Sequence, residues 1–352
     1  MKLVLKIKYF LKLIADCFSH LYQKTDEVKS FWLRKPAILR ANIQSQKNVF
    51  DLGNKPLILR WSNTYWCNYS CSYCSQGHLR SRETHAFDAY SPDQWLENFD
   101  RHFSLKKIDL YLTITGGEPM IDLENMPYFL ERICIRDYLS QIRIDTNLSF
   151  SLDAYRNIVS KDKIWLMCTY HPCAVKEEVF FSSVLKAQDQ GFKIGVCNYV
   201  ITNDNYLNYE PLMRRFLKYD IPLNPNPLWQ FDNIYDSSSI AVLKKFLPEK
   251  DFRYRSGQKK TQGKKCLFPA LAYEMKPDGE IYVACHRAFL SGNFIKDKRL
   301  KRLFNDYTNC ISLTCKCLDK YSFLRGFNRN YQGNALLSYK QALLDLFHSQ
   351  EH

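Results

Sequence analysis

From residue 57 to residue 228 the sequence repeats one pattern: a short apolar run, a turn, then an amphipathic stretch. The apolar runs fall at 57–61, 109–115, 141–146, 164–170, 193–201 and 221–228. Helical periodicity lies between them at 92–103, 126–134, 152–159, 177–189 and 209–219. Ser91 and Pro92 supply a helix cap and a first helical residue, and Gly191 supplies a stop. Short strands alternating with helices pack as a parallel sheet with right-handed crossovers. The class expected is α/β, and in such sheets chemistry gathers at the C-terminal strand ends.

At the first of those ends stands Trp66-Cys67-Asn68-Tyr69-Ser70-Cys71-Ser72-Tyr73-Cys74, a Cys-x3-Cys-x2-Cys loop. Three thiolates on one tight loop suit an iron–sulfur cluster or zinc, because both prefer soft sulfur ligands. A closed structural site wants four protein ligands, and only His78 lies at ordinary spacing for the fourth. Three thiolates can instead leave one corner of a [4Fe–4S] cube open for a small molecule. At the second strand end stands Gly116-Gly117-Glu118-Pro119, and at the third Asp145-Thr146-Asn147.

The chain has 352 residues and 13 cysteines, the latter clustered rather than dispersed. No signal peptide is legible, because Lys2, Lys6, Lys8 and Lys12 interrupt the apolar start, and no uncharged run could span a bilayer. The cysteines therefore read as metal ligands in a reducing, cytoplasmic setting. A net charge of +14 favours anionic partners such as phosphorylated substrates, membrane headgroups or nucleic acid. Residues 1–24 form an expected amphipathic helix, with Leu3, Ile7, Phe10, Leu11, Ile14, Phe18 and Leu21 on one arc. Packing on the domain and peripheral contact with an anionic membrane surface are both open to it. Residues 250–265, rich in Lys and Arg with Gly257 and Gly263, read as a solvated basic linker, and their position beside the strand ends leaves open a role in holding an anionic substrate. The divisions expected are a lead-in at 1–56, a core domain at 57–235, a cysteine-rich module at 236–335 and a C-terminal helix at 336–352.

The cysteine loop, with Tyr73 before its last Cys, resembles the signature of the radical S-adenosylmethionine (SAM) enzymes. Thr115-Gly-Gly-Glu-Pro119 is similar to that family's second motif, and Asp145-Thr146-Asn147-Leu148-Ser149 to its ribose-side motif, with Leu148 where Gly is usual. Tyr170-His171-Pro172 and Val196-Cys197-Asn198-Tyr199-Val200 complete a likeness that covers residues 57–230 in order. The resemblance implies a partial (β/α)6 barrel of parallel strands with a small C-terminal cysteine-rich α+β extension. It implies that Cys67, Cys71 and Cys74 hold three irons of a [4Fe–4S] cluster and that SAM takes the fourth. Gly116, Gly117 and Glu118 would meet the methionine ammonium, the Tyr73 backbone the adenine, and Thr146, Asn147 and Asn198 the ribose. A reduced cluster would then cleave SAM to a 5′-deoxyadenosyl radical that abstracts hydrogen from substrate, the protein supplying orientation and exclusion of water. Flavodoxin or ferredoxin would serve as the reducing partner. His78 and His171 are read as packing residues, and Cys17, Cys134, Cys168, Cys173 and Cys197 as small core hydrophobes.

The C-terminal region carries Cys266, Cys285, Cys310, Cys315 and Cys317, with Lys276-Pro-Asp-Gly-Glu280 as a hairpin turn before Cys285. It resembles the twitch or SPASM auxiliary-cluster module, with five cysteines where the full pattern has seven and with Cys-x-Cys at its end. Five candidates for four places imply a second [4Fe–4S] cluster and one spare thiol; zinc is the alternative. The substrate expected is a small molecule or a carbohydrate. The alternatives are a maturase acting on a ribosomally made peptide, for which residues 1–56 look too short to be a leader-binding domain, and a non-enzymatic iron–sulfur carrier or regulator. No nucleic-acid-binding module is evident, so nucleic acid is not an expected partner.

Overall fold

A computed structural model describes residues 57–74, 76, 84–105, 109–228, 235–285, 290–301, 303–304, 306–315 and 335–349. The helix expected at 1–24, His78 and Cys317 lie outside the described residues. Seven strands succeed one another first: β1 Leu57–Thr64, β2 Leu110–Gly116, β3 Leu139–Thr146, β4 Ile164–Tyr170, β5 Lys193–Ile194, β6 Cys197–Ile201 and β7 Leu223–Pro227. They are parallel at every pairing, in the order β1-β2-β3-β4-β6-β7, with β5 beside the start of β4. The expected fifth strand is thus two short ones, because the chain leaves β4 at Gly195 and Val196 and rejoins it at Asn198. The large, mainly parallel sheet is that of a partial (β/α) barrel.

The register sorts the side chains onto two faces. Trp61, Ile114, Ile144 and Leu166 stand side by side across four strands, all fully buried. Helices cover that face. Ser91 opens α1 (Pro92–Phe103) with a capping box, its hydroxyl accepting from the Gln94 backbone N–H while the Gln94 side-chain Oε1 accepts from the Ser91 N–H. Trp95 and Phe99 of α1 then pack on Trp61, with Phe129 of α2 (Asn125–Ile133) closing the cluster. Further along, Tyr170 and Tyr199 meet Phe180 of α3 (Glu177–Asp189) and Tyr209 of α4 (Tyr209–Leu217). The opposite face carries most of the strands' polar groups, among the apolar Trp165, Met167 and Val200. Successive residues alternate faces, so Arg60, Thr113, Arg143, Asp145, Thr169, Asn198 and Asn224 share it. Pro225 and Pro227 are tolerated in β7 because it is the last strand of the row.

Two expectations change after β7. The stretch at 250–265 is not a solvated linker: α5 (Ser237–Phe246), capped by Asp236, is followed by α6 (Glu249–Arg255), and Asp251, Arg255, Ser256 and Thr261 are buried. The expected helix at 152–159 is a single 3-10 turn, Leu152–Tyr155. The cysteine-rich region builds on the same sheet: β9 (Ala272–Met275), which follows the short strand β8 (Lys265–Cys266), pairs parallel with β1. Then β10 (Glu280–Val283) and β11 (Leu290–Asn293) extend it antiparallel. A separate two-stranded ribbon joins β8 to β12 (Thr308–Asn309), and a helix, α7 (Ala335–His348), follows. Among the described residues no helix is long and apolar enough to cross a membrane.

Candidate active site

The cysteine loop leaves β1 at Thr64 and is fastened at once to the turn after β2. The Gly117 N–H donates to the Thr64 carbonyl at 2.9 Å and the Glu118 N–H to the Trp66 carbonyl at 2.8 Å. The glycines permit this approach. A Cβ on Gly116 would stand 2.0 Å from the Thr64 carbonyl oxygen, and one on Gly117 would stand 1.8 Å from that of Trp66. Their smallness thus makes room for the chain's own loop.

Glu118 is only 1% exposed. Its carboxylate accepts from the Thr146 hydroxyl at 2.7 Å, the Asn147 N–H at 2.7 Å and the Met120 N–H at 3.1 Å. Burial pushes this carboxyl up to about 7, against the three donors, which hold it down. Glu118 and Thr146 thus join the second turn to the third through their side chains. Asn147 stays turned toward the loop: its side-chain N–H donates to Asn68 at 3.1 Å and lies 3.9 Å from the Cys67 sulfur. Asn68 in turn donates to Ser149 at 2.8 Å. Leu148, which stands where the family has Gly, keeps the left-handed backbone such a turn requires, at φ 55°.

The loop's other side meets the end of β4. His171 Nδ1 lies 3.1 Å from the Tyr73 hydroxyl and 3.4 Å from the Cys71 sulfur, and its ring stacks on that of Tyr73. Cys173, expected in the core, is exposed, with its sulfur 3.7 Å from the Tyr73 hydroxyl. Burial and the neighbouring Cys173 and Cys74 push the Cys71 thiol up to about 12, so ligation there must displace a proton. Cys134, Cys168 and Cys197 are buried, as small hydrophobes are. Asn198, beside Thr169 on the polar face, accepts from Asn224 at 2.7 Å. The roles of Asn68, Ser149 and His171, all quoted within motifs, were not legible in the sequence, His171 being read as a packing residue, because their partners lie 81 to 100 positions away.

In the C-terminal region Cys266 lies on β8 opposite Thr308, and burial, with a smaller push from the nearby Cys310, raises its thiol. Cys310 also lies 3.6 Å from the Thr261 hydroxyl, Cys315 lies near Tyr254, and Cys285 follows β10 with φ 65°. Among the described residues no three His, Cys, Asp or Glu side chains are drawn together tightly enough to enclose a metal ion. The donor chemistry nevertheless fits an iron–sulfur cluster: Cys67, Cys71 and Cys74 share one loop, none is in a disulfide, and Asn147 offers an N–H beside Cys67.

No family model matches the chain, and no curated protein matches it in sequence. Solved structures do. The chain is similar to anSMEcpe with bound AdoMet at 14% identity and TM-score 0.51, over 84% of this chain and 96% of that one. It is similar to anSMEcpe with bound AdoMet and Cp18Cys peptide at 14% and 0.51, and to the same protein with bound AdoMet and Kp18Cys peptide at 15% and 0.50. Each of those two alignments covers 84% of this chain and 96% of the other. With its parallel strand order and its cysteine loop after the first strand, the chain has the radical SAM fold.

Proposed function

We propose that the chain is a radical SAM enzyme in which Cys67, Cys71 and Cys74 ligate a [4Fe–4S] cluster that shares SAM. One observation carries the reading: the three-thiol loop is clamped by Gly117 and Glu118 to the second turn, and Asn147 of the third turn reaches its first sulfur. When bound, the cluster and SAM supply a 5′-deoxyadenosyl radical that abstracts hydrogen from substrate. The chain's own residues do the placing. The turn at 116–118 fixes the loop's entry, and Glu118 fixes the third turn against the second. His171 and Tyr73 stand against Cys71, and the nucleoside would lie between the backbone at Tyr73 and the third turn at Asn147.

The polar face of the sheet is where a substrate with polar groups would lie, which supports a small-molecule or carbohydrate-type substrate. A peptide is the second reading, favoured by the likeness to a protein that binds peptides. We assign Cys266, Cys285, Cys310, Cys315 and Cys317 to an auxiliary cluster, for which the proximity of Cys266 and Cys310 is the support. The test is anaerobic reconstitution, iron counting, and an assay for 5′-deoxyadenosine with SAM and dithionite. Two clusters give about eight irons per chain, and one gives about four. Absence of 5′-deoxyadenosine, or its persistence in Cys71→Ala, would overturn the proposal.

A further inference from the structure

A guanidinium remains charged at any accessible pH, and burying it without an anion is costly. Arg255, the last residue of α6, is 6% exposed. It donates to the side-chain oxygens of Asn224, at 3.3 Å, and of Asn226. Both acceptors are neutral amides. Glu249, at the start of the same helix, pairs with Arg253, and no carboxylate among the described residues forms an ion pair with Arg255.

The amides look arranged to aim this cation. Asn224, 2% exposed, gives its own N–H to Asn198 at 2.7 Å, which turns its oxygen toward the guanidinium. Two of the five guanidinium N–H groups are thereby fixed in direction, with no charge neutralised. Asn198, Asn224 and Asn226 belong to the polar face of the sheet, which carries Arg60, Arg143 and Asp145 farther along. Asn226 sits toward the C-terminal end of β7, the same edge of the parallel row from which the cysteine loop leaves β1.

We propose that Arg255, held by Asn224 and Asn226, anchors an oxyanion of the substrate, a carboxylate or a phosphate, on the polar face of the sheet. This rests on the reading of that face as the substrate side of a radical SAM enzyme. A buried guanidinium aimed by amides is a selective receptor, because a second ligand must bring the charge the protein withholds. The chain's excess of +14 acts in the same direction, drawing anions toward it.

The test uses the full chain, reconstituted anaerobically, titrated with inorganic phosphate by phosphorus NMR and with labelled acetate by carbon-13 NMR. Saturable binding is expected for at least one, and the anion that binds identifies the group. Arg255→Gln should weaken it about tenfold or more, Arg255→Lys by less, and Lys218→Gln, an exposed lysine, should leave it unchanged. Should Arg255→Gln fail to fold, the graded loss in Arg255→Lys carries the comparison. Equal binding by wild type and either Arg255 variant overturns the proposal, as does no saturable binding of either anion. A loss of SAM affinity in place of anion affinity overturns it too. 5′-Deoxyadenosine formation in the same samples reads the functional proposal separately. Arg255-dependent binding without SAM cleavage supports the oxyanion site while rejecting the enzyme class.

Discussion

The Thr146 hydroxyl donates to Glu118 Oε1 at 2.7 Å, so a buried carboxylate fastens the end of the third strand to the turn after the second. Burial raises the Glu118 carboxyl from 4.5 to about 7. Between those values the folded chain holds more protons than the unfolded one, so stability falls as pH rises through that window, by about 3 kcal/mol in all. Urea midpoints at about pH 5 and about pH 7.5 should show this decline. In Glu118→Gln, which cannot ionise, that part of the decline should vanish; an unchanged slope would remove Glu118 from the account.

Gly117→Ala places a methyl 1.8 Å from the Trp66 carbonyl oxygen and 2.3 Å from its carbon, both backbone atoms that cannot swing away. The loop must shift, at a cost of about 1–3 kcal/mol for overpacking, and the two hydrogen bonds from Gly117 and Glu118 stretch with it. A lower unfolding midpoint together with fewer irons retained per chain after reconstitution is the expected result. A variant with wild-type iron content would show that the clamp does not set the loop.

Leu148 pits two effects against each other. Its left-handed backbone costs about 1–2 kcal/mol for a residue with a Cβ, and Gly would relieve that. Its side chain, however, is buried, and losing it costs about 1.5–3 kcal/mol. Leu148→Gly is therefore expected to destabilise the chain by about 1 kcal/mol, measured by chemical denaturation. A net gain would mean that the backbone term dominates.

Single Cys→Ala changes separate the two metal assignments. Cys67→Ala, Cys71→Ala and Cys74→Ala should each remove about four irons and all 5′-deoxyadenosine formation. Cys266→Ala or Cys310→Ala should remove about four irons and leave SAM cleavage measurable. Loss of zinc in place of iron in the second set would reassign the C-terminal metal.

What could be read in the sequence is what repeats or stays local. Apolar runs and helical spacing located the parallel strands of the core, and the capping residues Ser91 and Pro92 located a helix start. The three turns with their motifs were legible because each lies within nine residues of sequence. The direction in which their side chains point was not. Nothing local showed that Gly116 and Gly117 make room for Thr64 and Trp66, or that Glu118 joins Thr146 and Asn147, because those partners are chosen by tertiary packing. Charge misled in the same way at 250–265: a count of Lys and Arg says solvent, but Arg255 is buried because Asn224 and Asn226 stand where its side chain ends.

The pairing of β9 with β1 has a consequence for how the chain reaches its native state. Ile58 through Trp61 find partners on one side in β2, which is near in sequence, and on the other in Ala272 through Met275, which is very distant. Closing so long a loop is slow, and until it closes the first strand presents a bare row of amide and carbonyl groups to the solvent. During synthesis, then, the strand leading into the cysteine loop waits unprotected while most of the molecule is still being made. A chain cut short before residue 272 would keep that adhesive edge permanently, inviting strand-to-strand association between copies.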